Sequence, residues 1–64
     1  MATFNITILS KEPAMHFELV ITIEESLIEQ LFNSWLVEGI VVKYQDSNMF
    51  IPGSSIGLIK YKKA

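Results

Sequence analysis

Residues 16–39, HFELVITIEESLIEQLFNSWLVEG, contain the change of period that decides the fold. Up to Ile23 every second residue is apolar, as at Phe17 and Leu19, which predicts a half-buried β-strand. From residue 24 onward the apolar residues recur at the spacing of a helix, so we predict an amphipathic helix that packs on a sheet. Its apolar stripe consists of Leu27, Ile28, Leu31, Phe32, Trp35 and Leu36.

Flanking residues indicate where this helix begins and ends. Thr22 and Glu25 have the spacing of a capping box, with Ser26 as a weaker alternative cap, so we expect the helix to begin near Glu24. Gly39 stands where a residue with positive φ would end a helix.

On the N-terminal side, residues 3–9 alternate in the same way as residues 16–23. Phe4, Ile6 and Ile8 point to one side of the strand. The polar, proline-containing residues 10–14 separate the two alternating segments, which predicts a β-hairpin with one buried face.

On the C-terminal side, residues 40–45 and 49–51 are predicted to form a second hairpin around a turn at 46–48. Pro52 and Gly53 end this hairpin, and residues 56–62 form a terminal strand. In that strand Ile56 and Leu58 are expected on the same face, and Gly57 marks a bulge or a short turn.

The predicted order is ββαβββ, which places the chain in the α+β class. We expect one domain over residues 1–64, with two layers in which one helix packs on one face of a mostly antiparallel sheet. This order resembles that of β-grasp domains, in which a central helix packs across a sheet built from two hairpins. Residues 49–61, MFIPGSSIGLIKY, are also similar to the end of Sm-like barrels, although Sm-like chains place their helix before all the strands. Element order implies no functional residues.

Length and composition limit how this domain is stabilised. The chain has 64 residues, of which 50% are hydrophobic, and it has no cysteine. A chain of this size buries about 60% of its surface on folding, which leaves it marginally stable. Without disulfides or thiolate metal sites, dense packing or self-association must supply the remaining stability.

The charges disfavour several classes of partner. Five lysines and seven acidic residues, with no arginine, give a net charge of −2, whereas nucleic-acid binders usually carry a basic surface. Six of the acids precede the third predicted strand and four of the lysines lie within or after it. This asymmetry would help self-association, but solvated charge on a small surface is the simpler interpretation. No segment has the ~20 apolar residues of a membrane span, and the N-terminus lacks the features of a signal peptide, so we expect a cytoplasmic protein without a membrane partner.

Few residues suggest catalysis or metal binding. His16 and Glu18 share the outward side of the second strand, but two ligands do not complete a metal site. Ser54 and Ser55 follow a Pro-Gly turn with no acid or base nearby in sequence, as in an ordinary turn. We therefore expect no catalytic residue, no metal, no cofactor and no enzymatic activity.

Apolar residues at positions that should face water give the main functional hypothesis. They are predicted on the sheet face that the helix does not cover, with Met49 or Phe50 beside them, and a contiguous patch of this kind usually marks a protein interface. We expect a non-enzymatic interaction module of the size of small regulators and phage-type inhibitors, which pairs with itself and with an unidentified protein. The predicted interface residues are Leu9, Val20, Val41 and Leu58.

A lysine- and tyrosine-rich set gives the alternative hypothesis. If the third and last strands are neighbours, these residues form a patch that could hold phosphates and stack on the bases of a single-stranded nucleic acid. Lysines on a terminal strand also protect a sheet edge against aggregation, which is the simpler interpretation. The set consists of Lys43, Tyr44, Lys60, Tyr61, Lys62 and Lys63.

Overall fold

The chain begins with a long antiparallel hairpin. A computed structural model describes all 64 residues, and in it β1 (Ala2–Lys11) pairs with β2 (Ala14–Ile23) over the full length of both strands. Only Glu12 and Pro13 form the turn, so the prediction of a loop over residues 10–14 is wrong. Ser10 extends the hairpin because its Oγ accepts a hydrogen bond of 3.1 Å from the Met15 N–H.

A 3₁₀ turn at Glu25–Leu27 leads into the helix α1 (Ile28–Glu38). The predicted capping box is wrong, because no side chain caps either helical segment. Thr22 is instead held in the hairpin, where its Oγ1 lies 2.9 Å from Oγ1 of Thr3 in a hydrogen bond. The helix ends as predicted at Gly39, which has a φ of 89° and donates its N–H to the Trp35 carbonyl oxygen.

After the helix, β3 (Ile40–Tyr44) and β4 (Ser47–Ile51) form a second hairpin. Its turn consists of Gln45 and Asp46, which both have positive φ, as a type I′ hairpin turn requires. The predicted turn at 46–48 therefore lies too far along the chain. A 3₁₀ turn at Gly53–Ser55 then leads into β5 (Ile56–Lys63).

The structure confirms the α+β class and the order ββαβββ, with one α-helix and antiparallel strands. It also divides the strands into a three-stranded sheet, in the order β2-β1-β5, and the β3-β4 hairpin. Gly57 lies where the register between β5 and β1 shifts, which confirms the bulge. Because an extra residue reverses the alternation of a strand, Ile56 is buried while Leu58 is exposed, and the prediction that they share a face is wrong.

The core lies between the three-stranded sheet on one side and the helix with the hairpin on the other. All buried residues are apolar. At one end the Phe32 ring of α1 contacts Tyr61 of β5, with 5.0 Å between ring centroids. At the other end Tyr44 of β3 contacts Phe17 of β2 at 5.9 Å. The helix and the hairpin thus cover different parts of one sheet face, and the opposite face is open.

Candidate interaction surfaces

The open face of the three-stranded sheet, here called the outer face, consists of rows of side chains that run across the strands. Strand pairing sets the rows, because directly opposite residues point to the same side. The rows are Thr22–Thr3, Val20–Asn5–Lys62, Glu18–Thr7–Lys60 and His16–Leu9–Leu58. A groove of about 570 Å³ lies over the two middle rows. Glu18 of β2 lines it on one side of β1, and Lys60 and Lys62 of β5 line it on the other.

Three of the four predicted interface residues lie on this outer face. Leu9 and Leu58 are directly opposite each other and form an apolar pair. Val20 is 66% exposed, but the row of Glu18, Thr7 and Lys60 separates it from that pair. The structure therefore brings Leu9 and Leu58 together and leaves Val20 apart from them.

Val41, the fourth predicted interface residue, lies on the hairpin and not on the outer face. It is directly opposite Phe50, and the two side chains are 62% and 59% exposed. The Phe50 ring lies over Gly39, where an added Cβ would be only 2.7 Å from Phe50 Cζ. The sequence placed either Met49 or Phe50 beside the predicted interface. Phe50 is exposed, whereas Met49 packs against the core. Val41 and Phe50 are called the hairpin pair below.

The lysine- and tyrosine-rich set is divided between the two sheets, because β5 pairs with β1 and β3 pairs with β4. Lys60 and Lys62 lie together on the outer face. Tyr61 points the other way and contacts Phe4 and Phe32. Lys63 also lies on that side and donates a hydrogen bond of 2.7 Å to Glu25. The condition for a single patch, that the third and last strands are neighbours, is not met.

Lys43 and Tyr44 line a second groove, of about 440 Å³, between the two sheets. One wall is formed by residues 16–19 of β2 and the other by residues 41–44 of β3. The unpaired edges of β2 and β3 therefore border the same groove. The groove was not predicted, because no local pattern indicates which edges of separate sheets come together.

The residues considered for chemistry lie in ordinary surroundings. His16 and Glu18 are on the outer face as expected, in adjacent rows, and the chain contains no group of three or more His, Cys, Asp and Glu residues that could hold a metal ion. Ser54 and Ser55 belong to the 3₁₀ turn before β5. Neither helical segment has the length and apolar character that crossing a lipid bilayer would need.

One residue that the sequence did not single out is Val37 of α1, which is largely exposed. Its position two residues after the buried Trp35 places it away from the core face of the helix. The position of Val37 in the helical repeat could therefore have predicted from the sequence that its side chain is exposed.

Comparison of the chain with known proteins finds no relative. The chain matches no family model, no curated protein and no solved structure at a significant level.

Proposed function

We propose that this chain is a small, non-enzymatic protein-interaction module of the cytoplasm, a regulator or inhibitor that acts as a homo-oligomer through an open sheet surface. The observation that carries the proposal is the hairpin pair, because Val41 and Phe50 are directly opposite each other and both are more than half exposed. Large apolar side chains that are exposed side by side favour burial against another protein surface.

The size of the core gives further support. Only 11 of 64 residues are buried, and no disulfide cross-links the chain. The accessible surface is 4513 Å², compared with roughly 4,200 Å² expected for a monomer of this mass. Association would remove apolar surface from water and so add stability that the monomer core does not supply.

The alternative, a single-stranded nucleic-acid binder, has less support. Its tyrosines are only partly exposed, since Tyr44 packs on Phe17 and Tyr61 packs on Phe4 and Phe32. Lys60 and Lys62 share their groove with the carboxylate of Glu18, which would repel a phosphate backbone. Salt-sensitive binding of an oligonucleotide that Lys60→Glu with Lys62→Glu abolishes would favour this alternative.

The test of the proposal is the mass of the protein in solution, measured by light scattering or sedimentation over a range of concentrations. We expect a mass above the 7.3 kDa of one chain. Phe50→Ser should weaken association about tenfold, because it removes apolar area of the hairpin pair. Val20→Ser is the control, since Val20 is similarly exposed on the outer face, and it should leave association unchanged.

Each result decides a different part of the proposal. A mass of one chain at every micromolar concentration contradicts homo-oligomerisation. A larger effect of Val20→Ser than of Phe50→Ser would move the interface from the hairpin to the outer face.

A further inference from the structure

The free edges of the two sheets differ in charge. Along β5, at one edge of the three-stranded sheet, stand Lys60, Lys62 and Lys63. Lysines on an edge strand oppose pairing with another chain. The edges of β2 and β3 border the groove between the two sheets. The other edge of the hairpin is β4, and no residue from Ser47 through Ile59 is charged. Of the β4 and β5 edges, only β4 carries no charged residue, and the turn residues Glu12 and Pro13 line a small cavity with its residues 49–51.

The backbone of β4 is hydrogen-bonded on one side only. Tyr44 and Ser47 flank the two-residue turn and form the first hydrogen-bonded pair of the hairpin, after which bonded and non-bonded pairs alternate. Asn48 and Phe50 therefore direct their N–H and C=O groups away from β3. No hydrogen bond from another element reaches β4, and both residues are exposed.

We propose that β4 pairs with β4 of a second copy of this chain, antiparallel and about a two-fold axis at Met49. The proposal rests on the proposed function and names the edge through which the copies join. In this register Asn48 of one copy is opposite Phe50 of the other, so the outward backbone groups of these residues satisfy each other. A two-fold axis makes the contact self-complementary, and no charged side chain on β4 opposes it.

Two further features favour a second copy as the occupant of this edge. The hairpin has only two strands, and pairing of two hairpins produces a four-stranded sheet, which is in the usual size range of sheets. The hairpin pairs of both copies then lie on one continuous face of that sheet, because opposite residues of paired strands share a side.

A single cysteine tests the register, since the chain has none of its own. In the proposed dimer the two Met49 residues form a non-hydrogen-bonded pair, with Cα atoms about 4.5 Å apart, a distance that a disulfide spans. Mild oxidation of Met49→Cys should give a covalent species of twice the chain mass. Val41→Cys is the control, because the two copies of Val41 would be three strand spacings apart, about 14 Å, and should not cross-link.

Asn48→Pro provides a second test that does not depend on how Met49→Cys folds. The Asn48 N–H points away from β3, so proline keeps the ladder of the hairpin and removes one donor of the proposed contact. We expect the dissociation constant of the dimer to rise about tenfold or more.

The outcomes separate this inference from the proposed function. If the protein is oligomeric, but Met49→Cys cross-links no faster than Val41→Cys and Asn48→Pro has no effect, pairing through β4 is wrong and the interaction module stands. If the protein has the mass of one chain at all concentrations, both proposals are wrong.

Discussion

The outer face of the three-stranded sheet and the outer face of the hairpin are both open to water, yet they differ in chemistry. On the three-stranded sheet the middle rows are mainly polar, for example Glu18, Thr7 and Lys60. On the hairpin, Val41 and Phe50 stand together. The three-stranded sheet also has a central strand that is paired on both sides, whereas the hairpin has none. From this comparison we expect the three-stranded sheet to supply most of the stability, and we propose that the hairpin carries the surface for a partner.

The largest expected effect on the free energy of unfolding comes from truncating one core side chain in the three-stranded sheet and one in the hairpin. Ile8 of β1 is 0% exposed and Ile51 of β4 is 4% exposed, so the same change can be made at both positions. Isoleucine-to-alanine substitutions in a core cost about 2–5 kcal/mol. We expect Ile8→Ala near the upper end and Ile51→Ala near the lower end, measured by urea unfolding at one fixed protein concentration. Equal losses would mean that the hairpin is as important for stability as the three-stranded sheet.

A smaller effect on the free energy of unfolding is expected for a substitution at Gly39, where the helix joins the hairpin. Gly39 has a φ of 89°, and an added Cβ would lie 2.6 Å from the carbonyl oxygen of Ile51. Gly39→Ala should therefore reduce the free energy of unfolding by about 1–3 kcal/mol. Gly57→Ala is the matched control, because its Cβ would meet first the flexible side chain of Lys11 at 3.1 Å. A Gly57→Ala variant that unfolds more readily than Gly39→Ala would contradict this account of Gly39.

The smallest effect is expected for the ion pair that joins the end of β5 to the 3₁₀ turn before α1. Lys63 and Glu25 are 2.7 Å apart, but both side chains are more than half exposed, so their pairing contributes at most about 1 kcal/mol. Lys63→Ala should lower stability slightly at low salt and not at ~1 M salt, where exposed charges are screened. Lys62→Ala, on the opposite side of the same strand, should show no such salt dependence. A salt-independent loss in Lys63→Ala would indicate lost packing instead.

Local periodicity predicted which side chains face the core, and it failed mainly at the turns. Phe4, Ile6 and Ile8 are buried as expected, because alternate side chains of a strand point to opposite faces. The second turn was misplaced because Asp46, Ser47 and Asn48 are typical turn residues. Gln45, which takes one of the two positive φ angles, is not. The residue types in this segment therefore favoured the wrong positions.

The sequence by itself determined the class and order of the elements, the end of the helix at Gly39 and the bulge at Gly57. Each of these depends on the preferences of a few neighbouring residues. Only the tertiary structure decided that β5 pairs with β1, that Val41 joins Phe50 instead of Leu9, and that Lys43 lies apart from Lys60. Strand partners are chosen by contacts between distant parts of the chain, and one alternating pattern is compatible with several partners.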